Sequence, residues 1–453
     1  MQLRKGCKAI QNVVRLAPRK APYEDAVGAY LAGQPKACLN LLHGHDSATA
    51  SLLRVRALLR TVRVDEAIEE LGQCVPRFGD HAASATHQFL LGTALARRGE
   101  YDNAHEALAN AQSYALSTSD RELITEAAYY RALTAFMRGD LAQTEDIASE
   151  TLDDQGGSAH ARLLDLLGLV AGLNGDIERQ ITMHLAASQH AATIADRDVY
   201  FEANILNNLA IPVAETNPPE IAAFVRDRAS VIAWNDELRP MHFHVTHHLA
   251  WLEALAGNHL SAYRHFRSAI KLGPTTARRA EAVAGLGYLA REMGEAINAA
   301  ECIAEAEELV GQVDWSASDN DDRLVLLQLA TLVAPSDPER AAQHIDRYKA
   351  ISKAMSRMHV TAHGDPLGRA KEAHAFGLVA KAQYGVTFAV PLLHEAFGLF
   401  RSVSSNWRAA AVALDLYELA GDRAMLHYAQ ENAARIPQSW LARRLARLAE
   451  AAA

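Results

Sequence analysis

The densest set of side chains able to do chemistry is the run Met241-His242-Phe243-His244-Val245-Thr246-His247-His248, in a chain with 20 histidines. His244 and His248 stand four apart and share one face if the run is helical, a spacing that can hold a metal ion. A complete site needs further donors, however. No acid falls inside the run, Glu253 is the next to follow, and no His-Glu-x-x-His occurs. A sparser set, His359 and His363 followed by Asp365, sits at an expected helix end and is a weaker candidate still. No metal and no cofactor are therefore expected. Nucleophile and phosphate chemistry are equally unsupported: there is no Gly-rich loop followed by Lys, no dinucleotide fingerprint and no Gly-x-Ser-x-Gly elbow. The expectation is binding, not catalysis. Asn207 suits that task, because an amide side chain both donates and accepts and can clamp a peptide bond without reading its sequence.

The elements that must position these residues are helices. Hydrophobic residues make up 49% of the 453 positions and charged residues 22%, and alanine and leucine dominate the apolar share. Ala and Leu lose little side-chain freedom in a helix. The net charge of −9, from 45 basic and 54 acidic residues, argues against direct duplex DNA binding. One basic segment opens the chain, with Arg4, Lys5, Lys8, Arg15, Arg19 and Lys20 ahead of Glu24. It reads as an exposed first helix or, less simply, as an organellar presequence. Cys7, Cys38, Cys74 and Cys302 are scattered and unpaired in spacing, as in a reducing compartment. No apolar run approaches the roughly 18 residues of a membrane span, so a cytoplasmic protein is expected.

A turn signal recurs between the apolar-periodic stretches. It appears at Gly99-Glu100, Gly139-Asp140, Gly175-Asp176, Gly257-Asn258, Gly294-Glu295 and Gly421-Asp422. Gly ends one helix in the left-handed conformation, and the polar residue after it suits the next helix's first turn. Spacings of 40, 36, 82, 37 and 127 residues separate the glycines, with substitute breakers at Asn217-Pro218-Pro219, Pro335-Ser336-Asp337-Pro338 and Gly385 inside the long intervals. Weaker turns at Gly33 and Arg63-Val64-Asp65 complete a series of about eleven helical hairpins of about 35 to 45 residues each.

Within the hairpins, Leu91-Gly92, Gly99, Tyr101, Ala104, Leu108 and Ala111 alternate small and large residues as two closely crossing helices require. Ala250, Gly257, Ala262, Phe266, Ala269 and Pro274 repeat the pattern, and Leu286-Gly287, Gly294, Ile303 and Ala306 repeat part of it. This resembles the tetratricopeptide-repeat (TPR) family over about residues 80 to 310. The resemblance implies an all-α, right-handed α-solenoid, a TPR-like superhelix. It divides the chain into basic N-terminal helices (1–50), a TPR-like array (51–310), divergent helical repeats (311–435) and a C-terminal capping helix (436–453). That last helix, with Leu441, Leu445 and Leu448 on one stripe and Arg443, Arg444 and Arg447 off it, could instead meet a membrane surface or nucleic acid.

In TPR arrays the first helix of each pair lines the concave surface. Positions three, four and three apart then share that face. They are Asn204, Asn207, Ile211 and Ala214 on one hairpin, His244, His247, Trp251 and Ala254 on the next, and Glu281, Ala284, Tyr288 and Arg291 on a third. The segment Ile205-Leu206-Asn207-Asn208-Leu209-Ala210 looks like that of peptide-binding TPR units, which implies that Asn207 faces the groove and Asn208 packs on a neighbouring helix. Asn204, Asn207, His244, His247, Trp251, Tyr288 and Arg291 are thus the candidate binding residues for a protein or peptide ligand. The function implied is that of a regulatory adaptor. Residues 394–422 also resemble the helical arrays of large bacterial transcription regulators, so the alternative is a sensory module working through a separate DNA-binding partner.

Overall fold

The computed structural model describes residues 21–452 apart from 75–79, 119–120, 153–156, 195–196, 217–218, 317–321, 356–365 and 437–438. The basic opening segment, Pro218 and the His359, His363 and Asp365 set lie outside the described residues. The described chain is all-α: 23 helices, one short 3₁₀ turn and no strand.

The most extensive packing is between the two helices of a pair, as in His81–Arg97 on Tyr101–Thr118, Thr276–Glu292 on Ala296–Gly311 and Pro366–Tyr384 on Val386–Ser402. First helices of successive pairs also touch. In one series Ala48–Arg60 meets His81–Arg97, which meets Arg121–Met137, which meets Gly157–Leu173; in another, Thr276–Glu292 meets Leu324–Val333, which meets Pro366–Tyr384. That is the stacking of a helical-pair repeat, in which no pair buries its apolar face alone.

The turn glycines behave as expected. Gly99, Gly139, Gly175, Gly257, Gly294 and Gly421 all have φ between 68 and 86°. Of the polar residues after them, Asp140 accepts from the Gln143 amide and Asp422 from those of Ala424 and Met425, each capping the helix it begins. The small-residue rule holds at the crossings. A Cβ on Gly92 would lie 2.5 Å from Leu108 Cγ, and one on Gly285 2.5 Å from the Phe266 ring. Ala104, Leu108, Ala111, Ala250, Ala262, Phe266 and Ala269 are all buried. Among the described residues no helix is long and apolar enough to cross a membrane.

By internal contacts the chain forms two compact units. The first comprises the chain to Asn174, Glu178–Leu209 and Val231–Leu238; the second comprises Gly175–Ile177, Ala210–Ser230 and Arg239 onward. The last helix, Trp440–Ala452, belongs to the second and closes its core, with Trp440 and Leu441 buried and Leu445 and Leu448 packed behind them.

Candidate functional site

In the first unit the inward-facing residues of the first helices fill their own space with charge pairs. Arg56 donates to Glu126 at 3.1 Å, Arg60 pairs with Asp198, and Arg162 lies 3.9 and 3.8 Å from those two carboxylates. Aromatic faces complete the packing: the Arg60 guanidinium stands 3.6 Å from the Tyr30 ring centre and that of Arg162 5.2 Å from Phe201. Burial opposes the charge on Arg56, but Glu126, Tyr130 and Tyr30 together outweigh it, so its pKa is raised. Asp165 is matched in the same way, by His184 at 2.8 Å and by the amide of Asn208 at 3.1 and 3.2 Å.

Asn208 therefore ties its helix to a neighbour, as the sequence implied. Asn207 and Asn204 are half-buried. The Asn207 amide reaches Asn208 Oδ1 at 3.5 Å, and its own carbonyl oxygen is buried with no hydrogen-bond partner among the described residues.

The second unit is built differently. Six first helices surround a cavity of about 120 Å³ that opens to solvent. Its walls are Ala214 and Glu215 from Val199–Thr216, His247, His248 and Trp251 from Arg239–Leu255, and Glu281 and Tyr288 from Thr276–Glu292. Leu327, Gln328 and Thr331 come from Leu324–Val333, Lys371 and His374 from Pro366–Tyr384, and Trp407, Arg408 and Ala411 from Asn406–Ala420. Phe400 is contributed by a second helix, Val386–Ser402.

One buried carboxylate joins the two sequence ends of this set. Glu215 accepts from Arg408 Nε at 2.6 Å and Nη2 at 3.1 Å and from the Ser405 hydroxyl at 2.8 Å, with Lys371 Nζ at 3.9 Å. Beside it the Trp407 indole donates to the Ala214 carbonyl at 3.1 Å. Burial alone would raise the Glu215 pKa; Arg408 and Lys371 outweigh it and hold the carboxyl at about 2. Glu281 is also held at about 2, burial again opposing and His247, Arg278 and His244 prevailing. Arg278 bonds Glu281 at 3.1 Å. Burial lowers the pKa values of the His247 and His248 rings as well, which leaves both neutral near pH 7.

The cavity wall is aromatic. Trp251 stacks on Trp407 with centroids 6.0 Å apart and meets Tyr288 and Phe266 edge-on at 5.6 and 5.4 Å, and Trp440 backs both Tyr288 and Trp407. Of the candidate residues, the structure brings His247, Trp251 and Tyr288 to one cavity, together with Ala214 and Glu281 from the same register. Trp251 is not a free anchor, since only 8% of it is exposed and its ring belongs to the core. His244 is half-buried against Phe243, outside the cavity lining. Arg291 turns away, bonding the carbonyls of Thr331 and Leu332 and covering Tyr288. Asn204 and Asn207 lie in the first unit. Sequence reasoning missed Glu215, Lys371, His374, Trp407 and Arg408. Among the described residues no group of three His, Cys, Asp or Glu side chains is placed to hold a metal ion.

No family model matches this chain, and no curated protein does. Solved structures do. A Rap protein complexed with competence and sporulation factor matches with a TM-score of 0.51 at 14% identity, over 80% of this chain and 98% of that one. The chain is a TPR-like helical repeat. Looser matches are the anaphase-promoting-complex hetero-tetramer Cut9–Hcn1 (TM-score 0.36, 16% identity, 96% of this chain and 91% of that one) and aspartyl phosphate phosphatase F from Bacillus subtilis (0.39, 13%, 74% and 95%). At these identities the likeness concerns the fold.

Proposed function

We propose that this TPR-like repeat is a regulatory protein- or peptide-binding adaptor, and that a short segment of its partner enters the cavity of the second unit. The observation that carries the reading is the cavity itself: its wall is aromatic, and a few polar groups converge on it. Aromatic side chains supply contact area at low entropic cost, as binding sites favour. The Rap protein of similar fold was solved with a factor bound, which makes such a role natural for stacked helical pairs.

Binding without catalysis fits the chemistry of the wall. Glu215 and Glu281 are held ionised far below neutral pH, so neither is a ready proton donor. A cytoplasmic setting accords with Cys38, Cys74 and Cys302 as free thiols.

Panning a random peptide pool against the immobilised full chain tests the proposal, alongside a Gln328→Trp variant. Gln328 is a half-buried wall residue, so the larger side chain fills the cavity without entering the core. Peptides retained by the wild type and lost by the variant, at an unchanged melting temperature, are the expected result. Equal retention by both would place the ligand elsewhere.

A further inference from the structure

On the first unit's inward face three guanidiniums surround two carboxylate oxygens. Arg56 donates to Glu126 Oε1 at 3.1 Å, and Arg60 donates to Asp198 Oδ2. Arg162 stands between these pairs, with Nη1 3.9 Å from the same Glu126 oxygen and Nη2 3.8 Å from the same Asp198 oxygen. Both separations exceed hydrogen-bond length. Among the described residues Arg162 thus has two opposite charges near it and no hydrogen bond.

The surroundings of Arg162 add donors and no further acceptor. Its side chain is 11% exposed, and its guanidinium lies 5.7 Å from the Tyr129 ring centre and 5.2 Å from that of Phe201. Tyr129 and Tyr130 meet edge to face with centroids 4.9 Å apart, and both phenols are within electrostatic reach of Arg162. Both side chains are half-buried, and neither hydroxyl has a hydrogen-bond partner among the described residues. Burial raises the Tyr129 pKa, so its phenol keeps its proton and is a donor near neutral pH. The charges tell the same story. Three positive groups face two negative ones, and the two further charges that reach Tyr129, Arg97 and Asp165, add one of each sign.

A planar guanidinium suits a carboxylate or a phosphate, and charge-assisted hydrogen bonds to either are strong. One carboxylate brings the acceptor oxygens and the single negative charge that this set lacks. A phosphate dianion would overshoot, placing an excess of negative charge beside Glu126 and Asp198. We propose that the first unit's inward face is a second binding site, at which Arg162 and the Tyr129 and Tyr130 hydroxyls hold a carboxylate of the ligand. An acidic side chain on a partner segment and a free carboxylic acid share that chemistry. The site is independent of the second unit's cavity.

The test uses two pools of acetylated, amidated hexapeptides of uncharged random sequence, one with Glu and the other with Gln at the third position. Retention by the full chain is read by equilibrium dialysis and mass spectrometry at fixed ionic strength. The Glu pool should be retained about tenfold better than the Gln pool. Arg162→Met should remove that preference and keep the melting temperature, because Glu126 and Asp198 retain Arg56 and Arg60. Tyr129→Phe, which keeps the ring, should reduce the preference about threefold. Gln328→Trp should leave it unchanged, which separates this site from the cavity. Glutarate and inorganic phosphate are added as competitors and also titrated alone by calorimetry. Arg162-dependent binding of the Glu pool that glutarate does not displace assigns the site to an acidic side chain; displacement by glutarate, or binding of glutarate alone, assigns it to a free acid. Phosphate binding more tightly than glutarate, or a Glu preference that survives Arg162→Met, overturns the proposal. So does the absence of Arg162-dependent binding by either carboxylate.

Discussion

Glu215 is where the second unit's stability and its site meet. Its carboxylate is 8% exposed and takes two hydrogen bonds from one guanidinium. Arg408→Met leaves that charge buried with the Ser405 hydroxyl and Lys371 as its remaining named partners, so the loss should be about 3–5 kcal/mol in denaturant unfolding. Adding Glu215→Gln to that variant should recover part of the loss, because the uncompensated charge goes too. The pH dependence follows from the same residues. Glu215 and Glu281 have depressed pKa values, about 2 in the folded chain, so their contribution is complete above the usual glutamate range. It is lost as pH falls from about 4.5 toward 2, at about 1.4 kcal/mol per pH unit for each group. His247 and His248 also have depressed pKa values, so the unfolded chain binds their protons first and stability declines once pH drops below about 6.5. Thermal melts from pH 8 to pH 3 should show two successive declines, and removing His247 and His248 should reduce the upper one, to which His242, His259, His265 and His344 also contribute.

At the scale of the helix pair, two glycines do different work, and substitution separates them. Gly285 sits where its helix crosses His259–Leu272; an added Cβ would meet the fully buried Phe266 ring at 2.5 Å. Gly285→Ala should therefore cost about 1–3 kcal/mol through overpacking, despite the better helix propensity of Ala. Gly421 has open space around it and a φ of 68°. Gly421→Ala should cost only about 1–2 kcal/mol, from the left-handed backbone alone. Calorimetry on both, with Gly285→Ala paired to Phe266→Leu, checks the assignment: the pair should recover stability at residue 285 if crowding is the cause. The turn role of Gly421 was legible in the sequence, because it recurs as a local signal; Gly285 was not singled out there, since the repeat pattern marked Leu286-Gly287 and the clash with Phe266 depends on how the two helices cross.

Across the molecule, legibility fell off with sequence distance. The register that put His247, Trp251, Glu281 and Tyr288 on one face could be counted within adjacent hairpins, and all four line the cavity. The partners that complete it could not: Arg408 lies 193 residues from Glu215, and no local pattern announces that pairing. Nor did residue type reveal that Arg291 would bond a neighbouring helix's carbonyls, or that Asn208 would be held by Asp165.

The claim that the ligand enters this cavity is tested most directly by titrating one retained peptide against three proteins of matched thermal stability: the wild type, Gln328→Trp and Asn207→Ala. Loss of binding by Gln328→Trp with unchanged affinity in Asn207→Ala is the expected result. The reverse, unchanged affinity when the cavity is filled and a loss of tenfold or about 1.4 kcal/mol at Asn207, would contradict it.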